Sequence, residues 1–211
     1  QFLDFVSRNS IKYLELCPTL ISNNIENLSK FQKIGIKIKK IKSKVISLNA
    51  VFYSYKKKFN GSDKDIKNLE IFFSRIINIA KKLNCKNISI GALPSRKIKN
   101  NFDKCLEINL KVFQKLNNLC KKKKLYLFIE PVSKSEGVFF LNNPDEVIDF
   151  IERYKLDNCK LLLDFGNLEI EKIPYKRFII KNLKKINHIH LRGKNMRYFN
   201  KKDVNKIITF L

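Results

Sequence analysis

The sequence is poor in several residue types, and each shortage narrows what the protein can be. Histidine occurs only twice, at His188 and His190, which leaves too little imidazole for a histidine-rich metal cluster. The five cysteines (Cys17, Cys85, Cys105, Cys120 and Cys159) are odd in number, widely spaced and without a CxxC pair. A disulfide framework and a structural zinc site are both disfavoured, and free thiols in a reducing compartment are the simple reading. No apolar run approaches the ~18 residues of a membrane span, and no leader-like start is present, so a soluble cytoplasmic protein is expected. Glycine is scarce, with 6 in 211 residues. There is neither a GxGxxG after the first strand-like run nor a GxxxxGK[ST], which argues against nucleotide-binding folds. No Gly/Ser/Pro-rich linker divides the chain, so 1–211 reads as one domain.

Lysine, asparagine and isoleucine are abundant, and the net charge is +25. Such a field attracts phosphates. Yet the lysines are spread along the chain in short runs, such as Lys56-Lys57-Lys58 and Lys121-Lys122-Lys123-Lys124, not interleaved with aromatic stacking platforms. Coding bias explains this better than a nucleic-acid surface does, and an anionic small substrate would still benefit from the field. At 44% hydrophobic residues the chain can bury an ordinary core.

Short apolar runs alternate with longer helix-like stretches. Strands are expected at Lys12–Cys17, Val45–Val51, Asn87–Gly91, Leu125–Glu130, Lys160–Asp164 and Ile186–Leu191, dense in Ile, Leu, Val and Phe as parallel strands buried on both faces are. Between them, Leu69, Phe72, Phe73, Ile76, Ile77 and Ala80 form one helical stripe, and Leu106, Leu110, Phe113 and Leu116 another. Asn143-Pro144-Asp145-Glu146 starts a third helix, running to about Tyr154. The βα alternation means a parallel sheet, open or closed. A closed barrel is favoured because polar residues fall at the C-terminal ends of strands, where barrel enzymes place their chemistry.

Three segments carry those residues: Leu125–Glu130 followed by Pro131, Leu161–Asp164 followed by Phe165-Gly166-Asn167, and His188-Ile189-His190. A carboxylate at the tip of a buried strand is costly unless something compensates it. Taken singly, Glu130 or Asp164 could cap a helix or pair with a lysine; three strands of one form suggest a shared divalent cation on Glu130, Asp164 and His190. Hard oxygens with one imidazole suit Mn²⁺ best, with Mg²⁺, Co²⁺ or Zn²⁺ as alternatives. His188 and His190 share a strand face, since side chains alternate with period two.

These segments resemble the xylose isomerase-like barrels of the sugar phosphate isomerase/epimerase group, including ketose 3-epimerases. The resemblance rests on Phe128-Ile129-Glu130-Pro131 through Glu136, Leu163-Asp164-Phe165-Gly166 and His188-Ile189-His190-Leu191. It implies a (β/α)8 barrel with Glu130, Asp164 and His190 as metal ligands. It also implies Glu130 as a catalytic acid/base, and Glu136, Asn167, His188 and Arg197 beside a sugar or sugar-phosphate substrate. The implied reaction is metal-assisted proton transfer through an enediolate. Asn167 departs from the family's usual histidine and cannot act as an acid or base. Phe2–Arg8 reads as the first helix and Lys202–Leu211 as a helix-like end. Strands two to seven are therefore expected here, with strands one and eight, the latter carrying a further glutamate, in a longer protein of about 270 residues. A homo-oligomer is compatible with this reading. The alternatives are a barrel relative without catalysis and, ranked lower for want of histidines, an apurinic-endonuclease-like repair enzyme.

Overall fold

The computed structural model describes residues 1–194, 197–199 and 201–209. Its elements follow one another as α1 (Phe2–Arg8), β1 (Tyr13–Leu16), α2 (Pro18–Ile21), α3 (Leu28–Lys40), β2 (Lys44–Leu48), α4 (Asp63–Lys82), β3 (Asn87–Ile90), α5 (Phe102–Lys123), β4 (Tyr126–Ile129), α6 (Pro144–Arg153), β5 (Cys159–Asp164), α7 (Phe165–Ile170), α8 (Tyr175–Asn182), β6 (Ile186–His190) and α9 (Lys201–Ile208). The end of the expected last helix, Phe210 and Leu211, lies outside the described residues. Among these residues no helix is long and apolar enough to cross a membrane.

The six strands are all parallel and lie in sequence order, β1 to β6. In a flat sheet β1 and β6 would stand five strand spacings apart, roughly 24 Å. Instead, the Glu15 carboxylate on β1 lies 2.8 Å from the His190 ring on β6. The sheet is therefore curled into an open barrel, with inward-facing side chains of its two edge strands meeting across the lumen. Burial follows: β4 and β5 are buried on both faces, whereas β6 is only half-buried along its length because it has one neighbour.

The helices pack outside. On α4 the expected stripe is buried in full, together with Ile66 and Ile79. A reciprocal capping box between Ser62 and Asp65 starts that helix. On α5 the buried face is offset from the expected one. Cys105, Ile108, Val112, Phe113, Leu116 and Cys120 are buried, while Leu106 and Leu110 only flank the core. Cys105 and Cys120 belong to that buried face, and a scan for large apolar residues overlooks them. The second strand also ends early, at Leu48. Asn49 and Ala50 turn away, with Ala50 at φ +49°.

Scarce glycine leaves a mark on the helix ends. Ser10, Lys42, Asn84, Lys124 and Lys155 all adopt left-handed φ between a helix and the next strand. In each turn the following N–H reaches back five residues, as in Cys85 N to Ala80 O (2.8 Å) and Leu125 N to Cys120 O (2.9 Å). This is the Schellman closure, usually made by glycine.

Candidate active site

At the C-terminal end of the barrel a cleft of about 720 Å³ is lined by Glu15, Ile46, Asn49, Glu130, Glu136 and the run from His188 on β6 to Arg192 beyond it. The period-two rule places its groups. Phe128 and Glu130 share one face of β4 and the residue that follows it, Leu162 and Asp164 one face of β5, and His188 and His190 one face of β6. Asp164 pairs directly with His190 across the β5–β6 ladder. One ligand atom from each of Glu130, Asp164 and His190 falls in a group whose members all lie within 4.8 Å of one another. The three residues read from separate strands are thus brought together. Glu15, His188 and His190 form a second such group, sharing His190.

The electrostatics of the carboxylates are those of an anionic, partly dry site. Burial, and then the charge of Asp164, push Glu130 up to about 7. Burial also raises Asp164, against its hydrogen bond from Asn167 N–H and the charge of Arg192. Burial would lower His190, but its bond to Glu15 and the charges of Glu15, Glu130 and Asp164 outweigh this and raise it. Burial would raise Glu15 too, yet the two histidines hold it down at about 2. A cation between Glu130 and Asp164 would relieve the repulsion that raises them, so the donor set fits a hard divalent ion.

Asp164 does more than face the lumen. Its Oδ1 accepts the Asn167 N–H at 2.7 Å and caps α7, so the capping role and the place in the site coexist. Its Oδ2 accepts from Arg192 Nε at 2.8 Å. Arg192 also donates to Asn167 Oδ1 at 3.2 Å and stands 3.9 Å from Glu136. This guanidinium is the internal counter-charge of the site, a role not expected from the sequence. Its signal was the inward phase of His188, His190 and Arg192, continued two residues past the strand.

Arg197, by contrast, lies exposed against Glu169 (3.4 Å) and does not line the cleft. Asn167 is buried, its amide donating to Pro131 O at 2.6 Å and to Glu130 Oε1 at 3.4 Å, its oxygen taken by Arg192. It braces the acid rather than presenting free groups to the cleft. Glu136 and His188 do line it.

Two further residues escaped the sequence reading. Glu15 sits in a strand too short for its alternation to stand out. Arg96 is fully buried, donating to the carbonyls of Phe140 (2.8 Å), Gly91 (2.5 Å), Glu130 (2.9 Å) and Leu141 (2.6 Å). It ties the end of β3 to the residue that carries the acid. Two glycines make room for the charges. A Cβ at Gly91 would stand 3.0 Å from Glu130 Oε2, and one at Gly166 would stand 2.8 Å from Arg192 Nη1.

A family model described as "Xylose isomerase-like TIM barrel" matches residues 6–203. The chain belongs to that family. Several solved structures share the fold. An AP endonuclease, family 2, from Brucella melitensis superposes with a TM-score of 0.76 at 13% identity, over 99% of this chain and 83% of that one. A 3-keto-D-glucoside 4-epimerase from E. coli gives 0.72 at 12%, over 98% and 80%. A D-psicose 3-epimerase with D-tagatose, from Clostridium cellulolyticum H10, gives 0.72 at 15%, over 90% and 66%. No curated protein sequence matches this family member. Identities this low carry the barrel fold, not the reaction.

Proposed function

We propose that this xylose isomerase-like barrel is a divalent-cation-dependent isomerase or epimerase of a sugar or sugar phosphate. The observation that carries the reading is the convergence of Glu130, Asp164 and His190 from three strand ends into one group of mutually close ligand atoms, at the mouth where barrel enzymes work. In this reading β1 to β6 stand as strands two to seven of an eight-stranded barrel.

Glu130, Asp164 and His190 would hold the ion, with Mn²⁺ the best match to two carboxylates and one imidazole. When bound, it supplies a Lewis acid for a substrate carbonyl and neighbouring hydroxyl. Glu130 takes a proton from the carbon beside that carbonyl and returns it; without the ion, burial and the charge of Asp164 raise this carboxyl, and with the ion bound it stands ionised, ready to accept. Asn167 and the backbone bonds of Arg96 fix that carboxyl's place. Glu136, half-exposed on the rim, and His188 face substrate hydroxyls. The positive field of the chain favours an anionic sugar.

Glu130→Gln tests the assignment. It keeps the shape but cannot accept the proton, so turnover of ketose and ketose-phosphate substrates in Mn²⁺ should fall by about 10²-fold or more. An active Glu130→Gln protein would end this reading. One observation favours a second reading, a barrel without catalysis: Arg192 already compensates Asp164 at 2.8 Å. Calorimetric titration with Mn²⁺ separates the two, since the non-catalytic reading predicts no binding at the Asp164 site.

A further inference from the structure

Glu15 has no part in that chemistry, yet its carboxylate stands against both histidines. Its Oε2 lies 2.8 Å from His190 Nε2 and its Oε1 lies 2.6 Å from His188 Nε2. Both contacts cross the lumen, because β1 and β6 are the edges of the sheet and share no ladder. The local backbone sets this aim. The β1–β2 register shifts between Leu14 and Glu15, and the β5–β6 register shifts between Leu161 and Leu162, beside His188. Such irregularities redirect side chains next to functional sites. On the far side Phe128 stacks on the His188 ring at 5.3 Å, and His188 meets His190 edge-on at 5.2 Å. The two rings are wedged between an aromatic floor and a carboxylate.

A neutral imidazole has one N–H and one lone pair, on different nitrogens. An ionised carboxylate only accepts, so the nitrogen facing Glu15 carries the hydrogen. His190 Nε2 is therefore the donor, and its lone pair is left on Nδ1, the only atom it can offer to a cation beside Glu130 and Asp164. Carboxylates in this relation to a ligating histidine fix both tautomer and ring orientation. We infer that Glu15 is a positioning residue, holding His190 as the Nε2–H tautomer with Nδ1 as its ligand atom. The link to a cation rests on the proposed ligand role of His190; the tautomer itself does not.

The test is ¹⁵N-histidine NMR of the cation-free chain at alkaline pH, where neutral rings report their tautomer, with Mn²⁺ calorimetry on the same samples. With two histidines, His188→Asn assigns the signals. Wild type and Glu15→Gln, which keeps an acceptor oxygen, should both show the proton on Nε2 of His190. Glu15→Leu should show a mixture or the other tautomer and bind Mn²⁺ about 10–100-fold more weakly, with Glu15→Gln between. A wild-type His190 protonated on Nδ1 overturns the inference even if the leucine variant does not fold. So does a Glu15→Leu protein with unchanged tautomer and affinity. Two Mn²⁺ ions per chain also overturn it, since Glu15, His188 and His190 would then be ligands of their own site. The expected tautomers without Mn²⁺ binding in wild type support the positioning role and overturn the cation reading instead.

Discussion

Replacing Arg96 by methionine should be among the most damaging single changes in this protein. The guanidinium is completely buried, and its partners are four carbonyl oxygens, from Phe140, Gly91, Glu130 and Leu141, at 2.5–2.9 Å. Burial lowers the group to about 10, opposed by the charges of Glu130 and Glu146, so it remains a cation at neutral pH. A buried acceptor left without its donor costs about 1–3 kcal/mol. Methionine fills much of the volume and restores none of the bonds. Gly91 O keeps the Leu93 N–H at 2.8 Å, but the other three carbonyls lose a charged donor, so the expected loss is about 4–8 kcal/mol, comparable to the whole stability of many domains. In urea denaturation, with an m-value of about 2 kcal/mol/M, the midpoint should fall by about 2 M or more. Arg96→Lys keeps the charge but not the planar fork, and should recover less than half of the loss. A methionine variant whose midpoint moves by less than about 0.5 M, at unchanged m-value, would refute the view that this side chain holds the ends of β3 and β4.

Arg192→Gln should leave Asp164 buried without its counter-charge; the cation-free protein should melt lower, and added Mn²⁺ should raise its melting temperature more than it raises that of wild type, in thermal scans with and without the ion. Cation binding at pH 6–7 should release a substantial fraction of a proton, because Glu130 at about 7 is partly protonated there and a ligand must be ionised; calorimetry in buffers of different ionisation enthalpy counts it, and no buffer dependence would contradict the placing of the ion. Glu15 is depressed to about 2, so its contribution to stability is present above its unfolded value near 4.5 and is lost as the pH falls towards 2; Glu15→Gln should be less stable at pH 6 and should lose less on acidification, by urea midpoints at pH 6 and pH 3. Glycine at Lys124, which sits at φ +55°, should stabilise the fold by about 0.5–1 kcal/mol by relieving the left-handed strain.

Much of this protein follows from local pattern alone. Dense apolar runs and wide helical stripes specify alternating strands and helices, because a strand buried on both faces and a helix buried on one each leave their own periodicity. The acids and histidine at the strand tips were legible for the same reason: a charge ending an apolar strand is costly and calls for a partner. That is why Glu130, Asp164 and His190 could be named from three separate segments. Tertiary structure decided who the partners are. Only curling of the sheet brings Glu15 on one edge strand to the histidines on the other, and a four-residue strand carries too little alternation to announce an inward glutamate. Arg192 rather than Arg197 faces Asp164 because strand phase persists two residues past β6, while Arg197 stands against Glu169. Arg96 meets four carbonyls from segments that no spacing rule connects. Periodicity is set by each segment's own geometry, whereas charge pairing depends on distances that exist only once the barrel has curled.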